Sequence, residues 1–170
     1  MKRADHQIGL LSSEGDRIVA VDVGDVAPDF TLETSSRTRN TSLRLSSLRG
    51  QKVVLFFYPA DHSPGCTTQV CSFRDAYDEL VGHGVAVVGI SGQTIASHER
   101  FAGSHALPFP IASDPGNRVR REYGASKWIL PWRVTYLIDE DGVVVDVYSG
   151  MVRPLMHVER VKEWIAGAVG

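Results

Sequence analysis

FYPADHSPGCTTQVCSFRD, residues Phe57 to Asp75, is the stretch whose reading decides the fold. It continues the run Val53, Val54, Leu55, Phe56, Phe57 and Tyr58, which is short, apolar and rich in β-formers, the pattern of a strand buried on both faces. Pro59 stops that strand. After the polar loop Ala60 to Gly65, apolar residues recur at Val70, Phe73, Tyr77, Leu80 and Val81, which is helical spacing. The stretch is therefore strand, tight loop, helix, and Cys66 falls at the helix start.

That position carries chemistry. A thiol reacts as thiolate, and the unpaired backbone N–H groups of a first helical turn favour negative charge there. The Pro64-Gly65 pair lets the loop turn tightly, and Ser63, three residues upstream, has a hydroxyl able to reach the sulfur or its substrate. A buried, inert cysteine is the plainer reading of Cys66. The helix start, the Pro-Gly turn and the upstream hydroxyl together favour a nucleophile. Cys71 follows five residues later on the same helix. In an ideal helix that spacing separates the Cα atoms by about 8.6 Å, beyond the roughly 7 Å reach of a disulfide, so joining the sulfurs requires this turn to unwind.

Working outward, the helix ends near Gly82 and Gly84, and Val85–Ile90 is a second buried strand. Thr94 or Ser97 caps a helix carrying Ile95, His98, Phe101 and Ala102, which Leu107-Pro108-Phe109-Pro110 ends. Ser113-Asp114-Pro115-Gly116 turns into a short helix through Val119 and Tyr123, closed by Gly124. Val134–Ile138 and Val143–Tyr148 form a hairpin over Asp141-Gly142, and Met156–Ala166 is a last amphipathic helix. Upstream, Phe30 and Leu32 enter a short strand after Ala27-Pro28-Asp29. The polar segment from Glu33 to Thr41, with Arg37 and Arg39 in solvent, is a loop or hairpin tip. β/α units followed by a hairpin and a helix predict an α/β domain: a mixed central sheet with helices on both faces. Residues 1–22 are read as an N-terminal extension and 23–170 as the domain.

PADHSPGCTTQVCSFRD resembles the active-site segment of the peroxiredoxins, in particular the bacterioferritin comigratory protein or Q-type group of thiol peroxidases. The pattern of Pro, three residues, Thr or Ser, two residues and a peroxidatic Cys lies here as Pro59, Ser63 and Cys66. The resemblance continues through VGDVAPDFTL, Val23 to Leu32, SDPGNRVRREYGA, Ser113 to Ala125, and RVTYLIDEDGVV, Arg133 to Val144. It implies a thioredoxin-like fold and reduction of hydrogen peroxide and alkyl hydroperoxides, with Cys66 attacking and Cys71 resolving through a Cys66–Cys71 disulfide. It also implies that Arg133 and Ser63 stabilise the reacting oxygens, that Pro59 shields the sulfur, and that thioredoxin or a similar dithiol restores the thiols. Ser63 lacks the methyl of the commoner Thr, while Gln69 and Val134 stand where the group has Glu and Ser. Loss of that carboxylate is expected to weaken the support of Arg133.

Composition bounds the alternatives. The 170 residues suit one domain that buries roughly 70% of its extended surface. Apolar content of 43% and charged content of 22% are globular values. A net charge of −2 gives no electrostatic case for nucleic acid or an acidic membrane, and no run approaches the ~18 apolar residues of a membrane span. Two cysteines so close in sequence argue for a reducing compartment, read here as cytoplasmic, and the interrupted N-terminus lacks a signal-peptide core. No cofactor is expected and no metal either: His62 with the two cysteines offers three ligands at awkward offsets. His6, His62, His83 and His105 are read as exposed, and Trp128, Trp132 and Tyr136 as packing around the site mouth. Monomer and homodimer are both compatible with the sequence. Two other readings stay open, a non-catalytic thioredoxin-like binding module and a protein-disulfide reductase with a strained, accessible bond.

Overall fold

The computed structural model describes residues 21–35, 41–128 and 130–167. The readings made for His6, Arg37 and Arg39, and the N-terminal extension up to residue 20, lie outside these residues. Strands β1 (Thr31–Ser35) and β2 (Ser42–Arg44) precede β3 (Lys52–Phe57), the buried strand of the opening stretch. Then come α1 (Pro64–Gly82), β4 (Val85–Ser91), α2 (Ile95–His105), β5 (Ile111–Ser113) and α3 (Arg118–Tyr123). Two-residue strands β6 (Ser126–Lys127) and β7 (Leu130–Pro131) precede β8 (Val134–Ile138), β9 (Val144–Ser149) and α4 (Leu155–Ile165).

Seven strands form one mixed sheet in the order β2-β1-β5-β4-β3-β8-β9. β3 lies at its heart, parallel to β4 on one side and antiparallel to β8 on the other. Alternation along β3 sorts the core into two layers. Val54, Phe56 and Tyr58 face Val70, Phe73 and Leu80 of α1, with Phe101 of α2 and Val158 and Val161 of α4 in the same cluster. Val53, Leu55 and Phe57 face the opposite way, onto Val119 and Tyr123 of α3. Phe56 stacks on Phe73 with centroids 4.6 Å apart, which fixes α1 against the strand that delivers the loop before it.

The helix ends follow their sequence signals. Thr94 caps α2 by accepting from Ser97 N, and Gly124 terminates α3 at φ 74°. Three features differ from the sequence reading. β5 is formed just ahead of the turn read at Ser113–Gly116, where no strand was expected, because it pairs with β1 and β4 and so owes its structure to non-local partners. A small β6–β7 hairpin precedes Arg133, with Trp128 at its turn, 77% exposed rather than packed. His105 ends α2 half-buried, its ring against Phe101, whereas His62 and His83 are exposed. Val21 and Ala27 are buried in the α3-side layer. Among the described residues no helix is long and apolar enough to cross a membrane.

Candidate active site

The site is assembled where β3 ends and α1 begins. Pro64 occupies the first turn of α1 after Ser63, whose extended backbone (φ −71°, ψ 146°) places it at the N-cap. Cys66 therefore lies in that first turn, on the face that carries Val70 and Phe73, and is 1% exposed. Cys71 is half-buried further along the helix, and both thiols are free.

Arg133 enters from the other side of the sheet sequence. Alternation from Leu137 and Thr135 of β8 aims it at the face covered by α1. Its guanidinium is buried, 3% exposed, and Nη1 donates to Cys66 Sγ at 3.6 Å. The same nitrogen donates to Gln69 Oε1 at 2.6 Å. Support for Arg133 thus survives the loss of a carboxylate at 69, because an amide oxygen accepts the same hydrogen bond. Gly65 makes room: a Cβ there would stand 3.0 Å from Arg133 Nη2. Among the described residues the buried nitrogens Gln69 Nε2 and Arg133 Nε have no hydrogen-bond partner.

Ser63 and Pro59 are placed differently. Ser63 Oγ donates to Ala60 O at 3.1 Å within its own loop, so its one proton is engaged away from the sulfur. Its oxygen remains free to accept. The Pro59 carbonyl accepts from Ser91 Oγ and Gln93 Nε2, each at 3.3 Å, which ties the strand exit to the end of β4.

Sequence reasoning missed the cluster that holds this loop. Asp61 accepts from Tyr58 Oη at 2.6 Å, Ser97 Oγ at 2.7 Å and His98 Nδ1 at 2.7 Å, and its backbone N–H donates to Gln93 Oε1 at 3.2 Å. Burial works against the Asp61 carboxylate, but the donors from His98, Tyr58 and Ser97 hold its pKa below the ordinary value. Burial and the neighbouring Asp61 hold the Tyr58 phenol well above its own. Asp61 looked like one more polar loop residue. The signal available was His98, a titratable side chain on the apolar stripe of α2, which is a position that demands a buried partner.

A central mixed sheet with a cysteine opening the helix after its central strand is the arrangement of the thioredoxin-like fold, and a guanidinium from a distant strand narrows the class to thiol chemistry. The Mycobacterium tuberculosis peroxidoxin BcpB superposes with a TM-score of 0.80 at 31% identity, over 88% of this chain and 99% of that one. Xanthomonas campestris peroxiredoxin Q superposes with a TM-score of 0.76 at 25% identity, over 88% and 97%. The AhpC/TSA family model matches residues 23–147. The chloroplastic peroxiredoxin Q of Sedum lineare is 43% identical over 139 residues, 80% of this chain and 73% of its own length. That of Triticum aestivum is 44% identical over 141 residues, 81% of this chain, and the chain spans only 64% of the length of that relative. The chain belongs to the AhpC/TSA family and, within it, to the Q-type peroxiredoxins.

Proposed function

We propose that the protein is a thiol peroxidase that reduces hydrogen peroxide and alkyl hydroperoxides. The observation that carries this reading is the Cys66 sulfur in the first turn of α1 with a buried Arg133 guanidinium nitrogen 3.6 Å away. A positive charge at that distance, in a site of low polarity, attracts the negative charge a reacting sulfur must bear. The thiolate of Cys66 attacks one peroxide oxygen, forming an S–O bond as the O–O bond breaks. The other oxygen leaves with the electron pair and takes a proton to become water or alcohol. Arg133 and the first-turn N–H groups stabilise that leaving oxygen. Ser63 orients the peroxide by accepting from it, or by donating once released from Ala60. Pro59 fixes the loop and limits water at the sulfur.

Cys66 is then a sulfenic acid, and the Cys71 thiol condenses with it to a disulfide and water. Local unwinding of α1 around residues 66–72 brings the sulfurs together, since both stand on one helix. Thioredoxin or a similar dithiol returns two electrons and two protons. The working unit is residues 23–170 with 1–22 as an extension, acting as a monomer or homodimer in the cytoplasm, where a reducing pool sustains the cycle.

The test is a quenched reaction of reduced protein with hydrogen peroxide, followed by mass analysis of the 66–74 peptide. A Cys66–Cys71 disulfide formed at one equivalent, absent in Cys66→Ser, is the expected result. A Cys71→Ser variant should consume one equivalent and then stall or over-oxidise. Peroxide left unconsumed by the wild type sinks the reading. Exchange with protein disulfides in the absence of peroxide would instead mark a disulfide reductase.

A further inference from the structure

A second buried cation stands behind the site. Arg120 of α3 is 1% exposed, and its guanidinium serves three backbone carbonyls. Nη1 donates to Trp132 O at 2.8 Å and to Ala125 O at 3.1 Å, and Nη2 donates to Tyr58 O. Two of those carbonyls have a telling place in the chain. Tyr58 immediately precedes Pro59 and the loop that delivers Cys66; Trp132 immediately precedes Arg133. One planar group is therefore bonded to both segments that meet at the sulfur.

The position is costly to fill with a charge. Among the described residues no carboxylate forms an ion pair with Arg120: both Asp114 oxygens are taken by the backbone N–H groups of Val119 and Arg120, at 3.1 and 2.9 Å. Among the described residues Arg120 Nε has no partner, and the face of the guanidinium lies over the Phe57 ring, 5.5 Å from its centroid. Burial lowers its pKa to about 10, which leaves it protonated at neutral pH. Asp114, Cys66 and Tyr58 are among the groups that favour the charged form. Packing alone would be satisfied by an apolar side chain of similar volume at lower cost. What an apolar residue could not supply is the bonded bridge and the charge.

We propose that Arg120 is a positioning residue for the peroxidase reaction, tying the Tyr58 and Trp132 backbones together so that Cys66 meets Arg133, and adding a second positive charge to the field at the sulfur. The inference rests on the thiol peroxidase reading. Displacing reacting groups by about 1 Å can cost on the order of a hundredfold in rate, so a brace between the two segments has leverage far beyond its own bonds. Lysine and arginine separate its two contributions. An ammonium keeps the charge but cannot hold carbonyls in the two directions that the guanidinium fork spans.

The experiment compares wild type, Arg120→Lys and Arg120→Met in the full chain, each shown to be folded by circular dichroism. Two quantities are read between pH 5 and 9: the stopped-flow rate constant with hydrogen peroxide, and the alkylation rate of Cys66 by iodoacetamide, scored on the 66–74 peptide. Arg120→Met should lose about a hundredfold in peroxide rate and move the half-maximal alkylation of Cys66 to higher pH. Arg120→Lys should keep the alkylation profile while losing about tenfold in peroxide rate. Variants within twofold of wild type in both readouts, with only a lower melting temperature, overturn the proposal and leave Arg120 a purely structural residue. Should Arg120→Met fail to fold, Arg120→Lys decides alone, and a peroxide rate within twofold of wild type overturns the bracing role. A wild type that consumes no peroxide defeats the proposed function, whereas the alkylation profiles still report whether Arg120 acts on the sulfur.

Discussion

Arg133 Nη1 donates to the side-chain oxygen of Gln69 at 2.6 Å, one turn of α1 beyond Cys66. The bond fixes a guanidinium that also donates to the Cys66 sulfur, 3.6 Å away. Gln69 is fully buried, its amide nitrogen has no partner among the described residues, and its oxygen accepts from Arg133. Removing the acceptor is expected to loosen the cation without removing it. Gln69→Ala should slow the second-order reaction with hydrogen peroxide by about tenfold, in line with the roughly 1.5–3 kcal/mol of a hydrogen bond to a charged group. Stopped-flow tryptophan fluorescence reads it, and an unchanged rate would show that Arg133 needs no such tether.

Gly65 tests the same geometry from the opposite side. Arg133 Nη2 occupies the space a side chain would need, with an added Cβ 3.0 Å from it. Alanine suits the first turn of a helix at least as well as glycine, so local stability is retained. Gly65→Ala should therefore leave the urea midpoint unchanged or raised while the peroxide rate falls about tenfold, because the guanidinium must give way. A parallel loss of both would point to misfolding of the turn instead.

The Asp61 carboxylate accepts from three side chains, and its own side chain is 1% exposed. Taking it away strands the His98 ring and two hydroxyls in the interior. Asp61→Ala should cost about 3–5 kcal/mol, since each buried donor left without its partner costs about 1–3 kcal/mol. Chemical denaturation is the measurement, and a loss under 1 kcal/mol would mean that water reaches the cluster readily.

Acid sensitivity has an identifiable source in His157 of α4. Its Nε2 donates to Gly150 O at 3.0 Å, which leaves Nδ1 to accept from Thr135 Oγ1 at 2.7 Å in the neutral ring. Burial lowers its pKa to about 4, against the pull of the Gly150 carbonyl, and Arg133 adds to the lowering. The unfolded chain binds this proton near pH 6.5 and the folded chain only near 4. Stability is thus fully present above pH 6.5 and is lost as the pH falls toward 4, by about 3 kcal/mol in all. Urea unfolding at pH 7 and pH 4.5 should show the loss, and His157→Gln should flatten that slope. Equal slopes in the two proteins would assign the acid sensitivity to other groups.

Local order was legible wherever the signal repeats within a few residues. The strand at Val53–Phe57, the helix carrying Cys66, its stop near Gly82 and the Asp141-Gly142 hairpin all rest on periods of two or 3.6 residues and on turn chemistry. β5 was not legible, because three residues acquire strand geometry only between β1 and β4. Trp128 was misjudged for a related reason: an aromatic residue reads as core until a hairpin turn carries it outward.

By itself the sequence determined that Cys66 stands at a helix start, since its placement after a Pro-Gly turn and before an apolar helical stripe is a matter of neighbours along the chain. It also carried Arg133 as a family resemblance, with no physical link to residue 66. Tertiary structure alone decided that Arg133 faces the sulfur, that Gln69 replaces a carboxylate as its acceptor, that Asp61 pairs with His98, and that Arg120 binds both segments at once. The reason is that a buried polar side chain must find its partner wherever the packed elements put one, and no local period encodes a contact made across 64 residues of chain.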